Sequence, residues 1–193
     1  MSKKQLSPEA QAIISACDAE LHATTVTLVE KFLIDNPDSQ RAWLDLGQAL
    51  GQLARYDESE QAFLKVIELG DDASSAAIFG EIGNLYRAKG DFQTAKQWYQ
   101  KQIDADSSDA TGWLYLGNLL MRQGEFEAAE TALGSALECD SVCLEEAHLA
   151  LGLVKRSLGQ FTEARTHLET AIQMDPNLAA AKIALKDVKF SGH

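Results

Sequence analysis

Three of the chain's six arginines, Arg87, Arg122 and Arg156, are the side chains best suited to gripping an anion. A guanidinium offers paired N–H donors that match a carboxylate, so such a row could hold an acidic peptide or a free C-terminus. Near helix ends the same cations would serve the helix dipole and solubility instead, and both readings stand. The amides of Asn84 and Asn118 could bond a peptide backbone, which carries a donor and an acceptor whatever its side chains. Cys139-x3-Cys143 followed by His148 comes nearest to a metal constellation. It offers three candidate ligands, no evident fourth, and lacks the short C-x2-C spacing of structural zinc sites. Thiols packed at a helix end explain it better, and Cys17 lies far away in sequence. For catalysis there is no G-x-S-x-G, no glycine-rich phosphate loop and no H-E-x-x-H. The histidines His22, His148, His167 and His193 are dispersed, and His148 reads as a packed core residue. No catalytic residue, metal or cofactor is expected, and the chain does not read as an enzyme.

Composition narrows the partners. The 193 residues carry 17 Lys+Arg against 29 Asp+Glu, a formal charge of −12, which disfavours a phosphate backbone as ligand. An apolar share of 46 % is too high for a disordered chain, and three cysteines cannot build a disulfide framework. No apolar run approaches the roughly 20 residues that span a bilayer. Lys3 and Lys4 make a basic start, but no apolar stretch follows them, so the N-terminus is not read as a targeting peptide. Cytoplasm is the expected compartment, with reduced thiols. Between Gly124 and Val154 there is no Lys or Arg, while Glu125, Glu127, Glu130, Glu138, Asp140, Glu145 and Glu146 accumulate. That sector could attract a basic partner, though such a charge run is more often a solvated face.

What must position these side chains is a repeat. Trp43-x-x-Leu46-Gly47-x-x-Leu50 recurs as Phe79-x-x-Ile82-Gly83-x-x-Tyr86, as Trp113-x-x-Leu116-Gly117-x-x-Leu120 and as His148-x-x-Leu151-Gly152-x-x-Lys155. The glycine-to-glycine steps are 36, 34 and 35 residues. Tyr56, Phe92, Phe126 and Phe161 shift in the same register, as do Ser59, Ala95, Ala129 and Ala164, and Phe63, Tyr99, Leu133 and Leu168. Apolar residues fall three and four apart within each unit, which predicts paired amphipathic helices. The recurring glycine should lie where two helices approach closely, opposite the small residue of the second helix. Gly90, Gly124 and Gly159 fall between the helices, where a left-handed residue suits the turn, and the first unit has Ala54 there. Asp57-x-x-Glu60 gives an acidic start to a second helix.

This pattern resembles the tetratricopeptide repeat, a helix–turn–helix unit of about 34 residues. The resemblance covers four units, 40–73, 76–109, 110–143 and 145–178, and only the last closes on the family's proline, Pro176. It implies an all-α, right-handed α-solenoid of stacked helix–turn–helix repeats with a C-terminal capping helix. Ser7-Pro8 is a good helix start and Asn36-Pro37 a stop, so residues 1–39 are read as a degenerate helix pair, counted as 6–39. This pair has Ile13 and Glu20 where the later units have their two glycines. Residues 179–193 form the capping helix and tail, because the last core face of a stacked array otherwise meets water.

In the family that the repeat resembles, the first helices of the units line a concave groove that holds an extended peptide or a partner helix. Carried over by repeat position, this implies Arg41, Leu44, Asp45, Gln48 and Gln52 in the first unit, and Glu81, Asn84 and Arg87 in the second. The third gives Tyr115, Asn118, Met121 and Arg122, and the fourth gives Glu146, Leu149, Leu153 and Arg156. Asn84 and Asn118 fall at the same position of successive units, where asparagine is common. The carboxylate clamp of chaperone-binding members does not carry over, because Leu44, Gln48, Thr111 and Tyr115 stand at its positions. The expected role is therefore a scaffold or adaptor that binds another protein as an extended peptide or a helix, an acidic one if the arginines contact it, with no nucleic acid and no membrane. A secretion-type chaperone holding an apolar client and a self-assembling scaffold are the alternatives, and a homo-oligomer is compatible with either.

Overall fold

The computed structural model describes residues 7–70, 72–139 and 144–191. Lys3, Lys4, Asp140, Cys143 and His193 lie outside the described residues. Eleven helices follow one another among the described residues: α1 (Pro8–Asp18), α2 (His22–Asp35), α3 (Gln40–Gln52), α4 (Tyr56–Leu69), α5 (Asp72–Lys89), α6 (Phe92–Ala105), α7 (Ala110–Gln123), α8 (Phe126–Glu138), α9 (Leu144–Ser157), α10 (Phe161–Met174) and α11 (Ala179–Ser191). The chain is all-α, built from sequential helix pairs. None of the helices is long and apolar enough to cross a membrane. Two compact units divide within α6, residues 1–95 and residues 96–193.

In residues 1–95 each helix packs on the next, α1 on α2, α2 on α3, α3 on α4 and α4 on α5. Ser7 caps α1 by accepting the Ala10 N–H at 3.2 Å, and Ser39 caps α3 through the Ala42 N–H. The core joins Ile13, Val26, Val29 and Leu33 of the first pair to Ala42, Leu46, Leu50 and Ala62 of the second. These apolar stripes supply most of the stability, since helices this short are marginal alone.

Gly47 lies under Phe63, and a Cβ there would stand 2.7 Å from the ring. Ser59, fully buried opposite, donates its hydroxyl to the Gly47 carbonyl at 2.6 Å, so the hydroxyl that replaces the alanine of later units is satisfied. The start of α4 is acidic, as its sequence suggests, but lacks a side-chain cap. Its cap position is Arg55, with no side-chain cap bond, and the guanidinium instead grips Glu58 through two hydrogen bonds. Asp57 and Glu58 still place negative charge in the first turn, where the helix dipole favours it.

Residues 96–193 repeat the scheme. α7 packs on α8, α8 on α9, α9 on α10 and α10 on α11, and α7 and α11 also touch α9. Added Cβ atoms at Gly117 and Gly152 would stand 2.5 Å from Leu133 Cγ and 2.6 Å from Leu168 Cγ, with the Ala129 and Ala164 carbonyls just beyond. At the end, Ala181, Ala184 and Val188 of α11 close the core over Ala164, Leu168 and Ala171, while Ile183 and Lys182 face outward.

One turn recurs within the helix pairs. At Gly90, Gly124 and Gly159 the backbone is left-handed, with φ of 85°, 81° and 75°. In each case the next N–H returns to the carbonyl five residues back, as Asp91 to Tyr86, Glu125 to Leu120 and Gln160 to Lys155. Ala54 makes the same turn at φ 57°, with Arg55 N–H bonding Leu50. Glu20 makes it at φ 53°, with Leu21 N–H bonding Ala16. The first pair, which lacks the glycine, therefore keeps the turn and takes a Cβ into a region that costs an L-residue about 1–2 kcal/mol.

Candidate functional site

The inner side of residues 1–95 is a cleft of about 490 Å³. Gly47, Gly51 and Phe63 are among its lining residues, α1 and α2 contribute Cys17 and Thr25, and α3 and α5 contribute Asp45, Gln48, Glu81, Asn84 and Arg87. Those polar groups recur in register. Asp45 and Glu81 occupy the same position of successive repeats, and Gln48 and Asn84 occupy the position one turn further along.

Asp45 is 6 % exposed and accepts a 2.8 Å bond from Nε of Arg41, itself an exposed side chain. Burial raises the Asp45 pKa above the usual carboxylate range, and the Arg41 charge pulls it part of the way back. Glu81 is half-buried, and burial raises its pKa as well, opposed by a hydrogen bond from the Gln48 side chain. This places the Gln48 amide of α3 beside the Glu81 carboxyl of α5. Arg87 lines the same cleft, half-buried in the last turn of α5. Cys17, half-buried in the wall, has its thiol pKa raised by burial and then by Asp45, so it is no activated nucleophile.

The cleft thus holds six of the residues singled out by repeat register: Asp45, Gln48, Gln52, Glu81, Asn84 and Arg87. Arg41 sits beside it through Asp45, and Leu44 is half-buried on α3.

In residues 96–193 the carried-over residues have other neighbours. Tyr115 stacks on the buried Tyr99 ring at a 5.4 Å centroid distance. Asn118 and Met121 are half-buried, and Arg122 is exposed. Leu149 and Leu153 pack against the α10–α11 core, so part of the apolar surface expected for a partner is spent inside the fold. Arg156 reaches across to Asp187 of α11 at 3.2 Å, which gives this arginine an intramolecular carboxylate.

Two groupings escaped sequence reasoning. His148 on α9 and His167 on α10 meet at 2.9 Å between their Nδ1 atoms, so two of the histidines taken as dispersed form a half-buried pair. The ring centroids stand 5.2 Å apart. That separation leaves the two nitrogens nearly head-on, which suits a shared N–H···N bond and not two lone pairs converging on one metal. Burial lowers both pKa values, and for His167 the adjacent His148 and Lys155 lower it further while Glu163 and Glu130 oppose. Lys155, 8 % exposed, bonds both Glu130 of α8 and Glu163 of α10. Among the described residues no three His, Cys, Asp or Glu side chains come together as metal ligands. Cys139 points its thiol at the Ser135 and Ser107 carbonyls.

Three tetratricopeptide profiles match the sequence, over residues 40–69, 83–124 and 145–178, together more than half of the chain. No curated relative matches in sequence. Solved structures match in fold. MamA is 17 % identical at a TM-score of 0.70, over 91 % of this chain and 99 % of that one. YrrB, described as a TPR protein with an unusual peptide-binding site, is 17 % identical at 0.64, over 94 % and 92 %. The second TPR domain of human RPAP3, solved with the HSP70 peptide SGPTIEEVD, is 24 % identical at 0.57, over 61 % and 98 %. With its landmarks matched in three places and its helices paired in sequence as in those structures, the chain belongs to the tetratricopeptide-repeat family.

Proposed function

We propose that the chain binds a partner protein as a scaffold or adaptor, taking an extended peptide or a helix against the inner faces of the first helices of its pairs. Tetratricopeptide domains are typically protein–protein interaction modules and generally non-catalytic. The observation that carries the reading here is the cleft of residues 1–95, where amides from successive repeats, Gln48 and Asn84, stand beside the cation Arg87. Amides suit a peptide backbone, and a guanidinium suits a carboxylate or a chain of carbonyls. Arg41 and Leu44 extend this surface at one side. In residues 96–193 the corresponding contacts would come from Tyr115, Asn118, Met121 and Arg122, with Leu149 and Leu153 adding apolar area. Arg156 would join them by exchanging Asp187 for a partner's carboxylate.

The test compares partners recovered by affinity purification with wild type and with the Arg87→Glu/Arg122→Glu variant, followed by calorimetry with the recovered partner. Both arginines are outside the core, so the melting temperature should stay within about 2 °C, as for surface substitutions. Affinity should drop at least tenfold, since a lost charge-assisted pair is replaced by like-charge repulsion. Equal affinity for the variant would reject the groove.

A further inference from the structure

The polar lining of the cleft has a sign, and it is confined to one unit. Position six of the repeat carries Asp45 and Glu81 in residues 1–95, whereas the third and fourth repeats carry Tyr115 and Ala150 there. Asp45 has a cation of its own in Arg41. Glu81 has none among the described residues, and its one polar partner of note is the neutral amide of Gln48. A carboxylate drawn out of water with only an amide to compensate is a costly arrangement, and a cation delivered by a ligand relieves it.

We propose that this cleft selects a partner segment bearing a lysine or arginine side chain, seated on Glu81, while Gln48 and Asn84 hold the neighbouring backbone. The assignment rests on the groove reading above and adds the chemistry of what enters it.

The geometry also sets a spacing. Glu81 and Arg87 are six residues apart on α5, which is about 9 Å along a helix axis. An extended ligand advances about 3.3 Å per residue. For an extended segment running along α5, its basic side chain on Glu81 and a carboxylate on Arg87 would therefore fall about two to four residues apart, on the same face of the segment. This pattern differs from the purely acidic ligand that the arginines alone suggest.

Placing a cation there is also more economical than placing it against the exposed acidic residues of α8. Water already solvates those groups and screens them. Glu81 is half-buried within a concave wall, so its field reaches a ligand with less screening.

The test uses the full chain against a positional-scanning library of acetylated nonapeptides, each pool fixing one residue, read by fluorescence anisotropy. Wild type should favour pools fixing Lys or Arg over the isosteric norleucine by at least fivefold, and the preference should shrink in 0.5 M salt. Glu81→Gln, which keeps shape and hydrogen bonding, should erase the preference while binding to neutral pools persists. Glu81→Asp should restore part of it, and melting curves of both variants should match wild type. A Lys/Arg preference that survives Glu81→Gln, or one that wild type never shows, overturns the cationic-ligand assignment and leaves the groove standing. If no pool binds at all, both the groove and its selectivity fall.

Discussion

Replacing Gly117 by alanine tests the packing that defines the helix pairs. The added Cβ would stand 2.5 Å from Leu133 Cγ and 2.7 Å from its Cδ2, where ordinary carbon contacts lie at about 3.5–4.0 Å. Leu133 is fully buried; turning its outer torsion leaves Cγ where it is, and changing χ1 would swing the isobutyl group into a close-packed core, so the side chain has no low-cost way to carry that atom away. The helices must part by about 1 Å, with the Ala129 carbonyl at 3.4 Å resisting. Overpacking of this kind costs about 1–3 kcal/mol. Removing glycine from a helix interior returns about 0.5–1 kcal/mol, so the net loss should be about 1–2 kcal/mol. With a urea dependence of about 2 kcal/mol per molar, the midpoint should fall by roughly 0.5–1 M.

Leu133→Ala alone should cost about 2–5 kcal/mol through the cavity it leaves. In the double variant the new methyl enters that cavity, so the two losses should fail to add by at least 1 kcal/mol. Urea titrations followed by far-UV circular dichroism and tryptophan fluorescence, with coincident transitions, give all four stabilities. Additive losses, or a Gly117→Ala variant as stable as wild type, would refute the close approach as the reason for glycine at this position.

Two further outcomes follow from the backbone and from the histidine pair. Ala54→Gly relieves a Cβ at φ 57° and should stabilise by about 0.5–1 kcal/mol despite glycine's greater unfolded-state freedom, read as a higher urea midpoint; a lower midpoint contradicts the strain. His148 and His167 have folded pKa values below the ordinary 6.5, so the unfolded chain binds more protons and stability is complete above that value and falls as pH drops through it. The dependence between pH 7 and 5.5 should be visibly flatter in His148→Gln/His167→Gln, and an unchanged slope would remove the pair from the account.

The architecture was legible because each landmark answers a steric demand that sequence spacing exposes. Gly117 and Gly152 lie under Leu133 and Leu168, the residues whose register moves with them, and Gly47 lies under Phe63 in the same way. Ser7 was readable as a cap because its neighbours carry a local signal. The turn at Glu20 was marked by register alone, because nothing in a glutamate announces a left-handed backbone, and its hydrogen bonds show it to be the same turn.

Side-chain partnerships were harder. His148 and His167 belong to different helices and meet only when α9 lies on α10. Arg156 could be placed near a helix end from sequence, yet its pairing with Asp187 depends on where α11 docks. Asp45 and Glu81 were marked as inner-facing by register alone. Their unequal compensation, one with Arg41 and one with an amide, is a property of side-chain geometry that spacing does not carry.

Among the described residues the two left-handed turns made without glycine, at Glu20 and Ala54, fall in the first two helix pairs, whereas Gly90, Gly124 and Gly159 serve the later ones. In an array whose stability is a sum of local and nearest-neighbour contributions, a defect is felt mainly where it sits. The amino-terminal hairpins therefore hold the shallowest wells of the chain. Amide protons there should trade with solvent first, and a protease should nick that end before the carboxyl-terminal hairpins loosen.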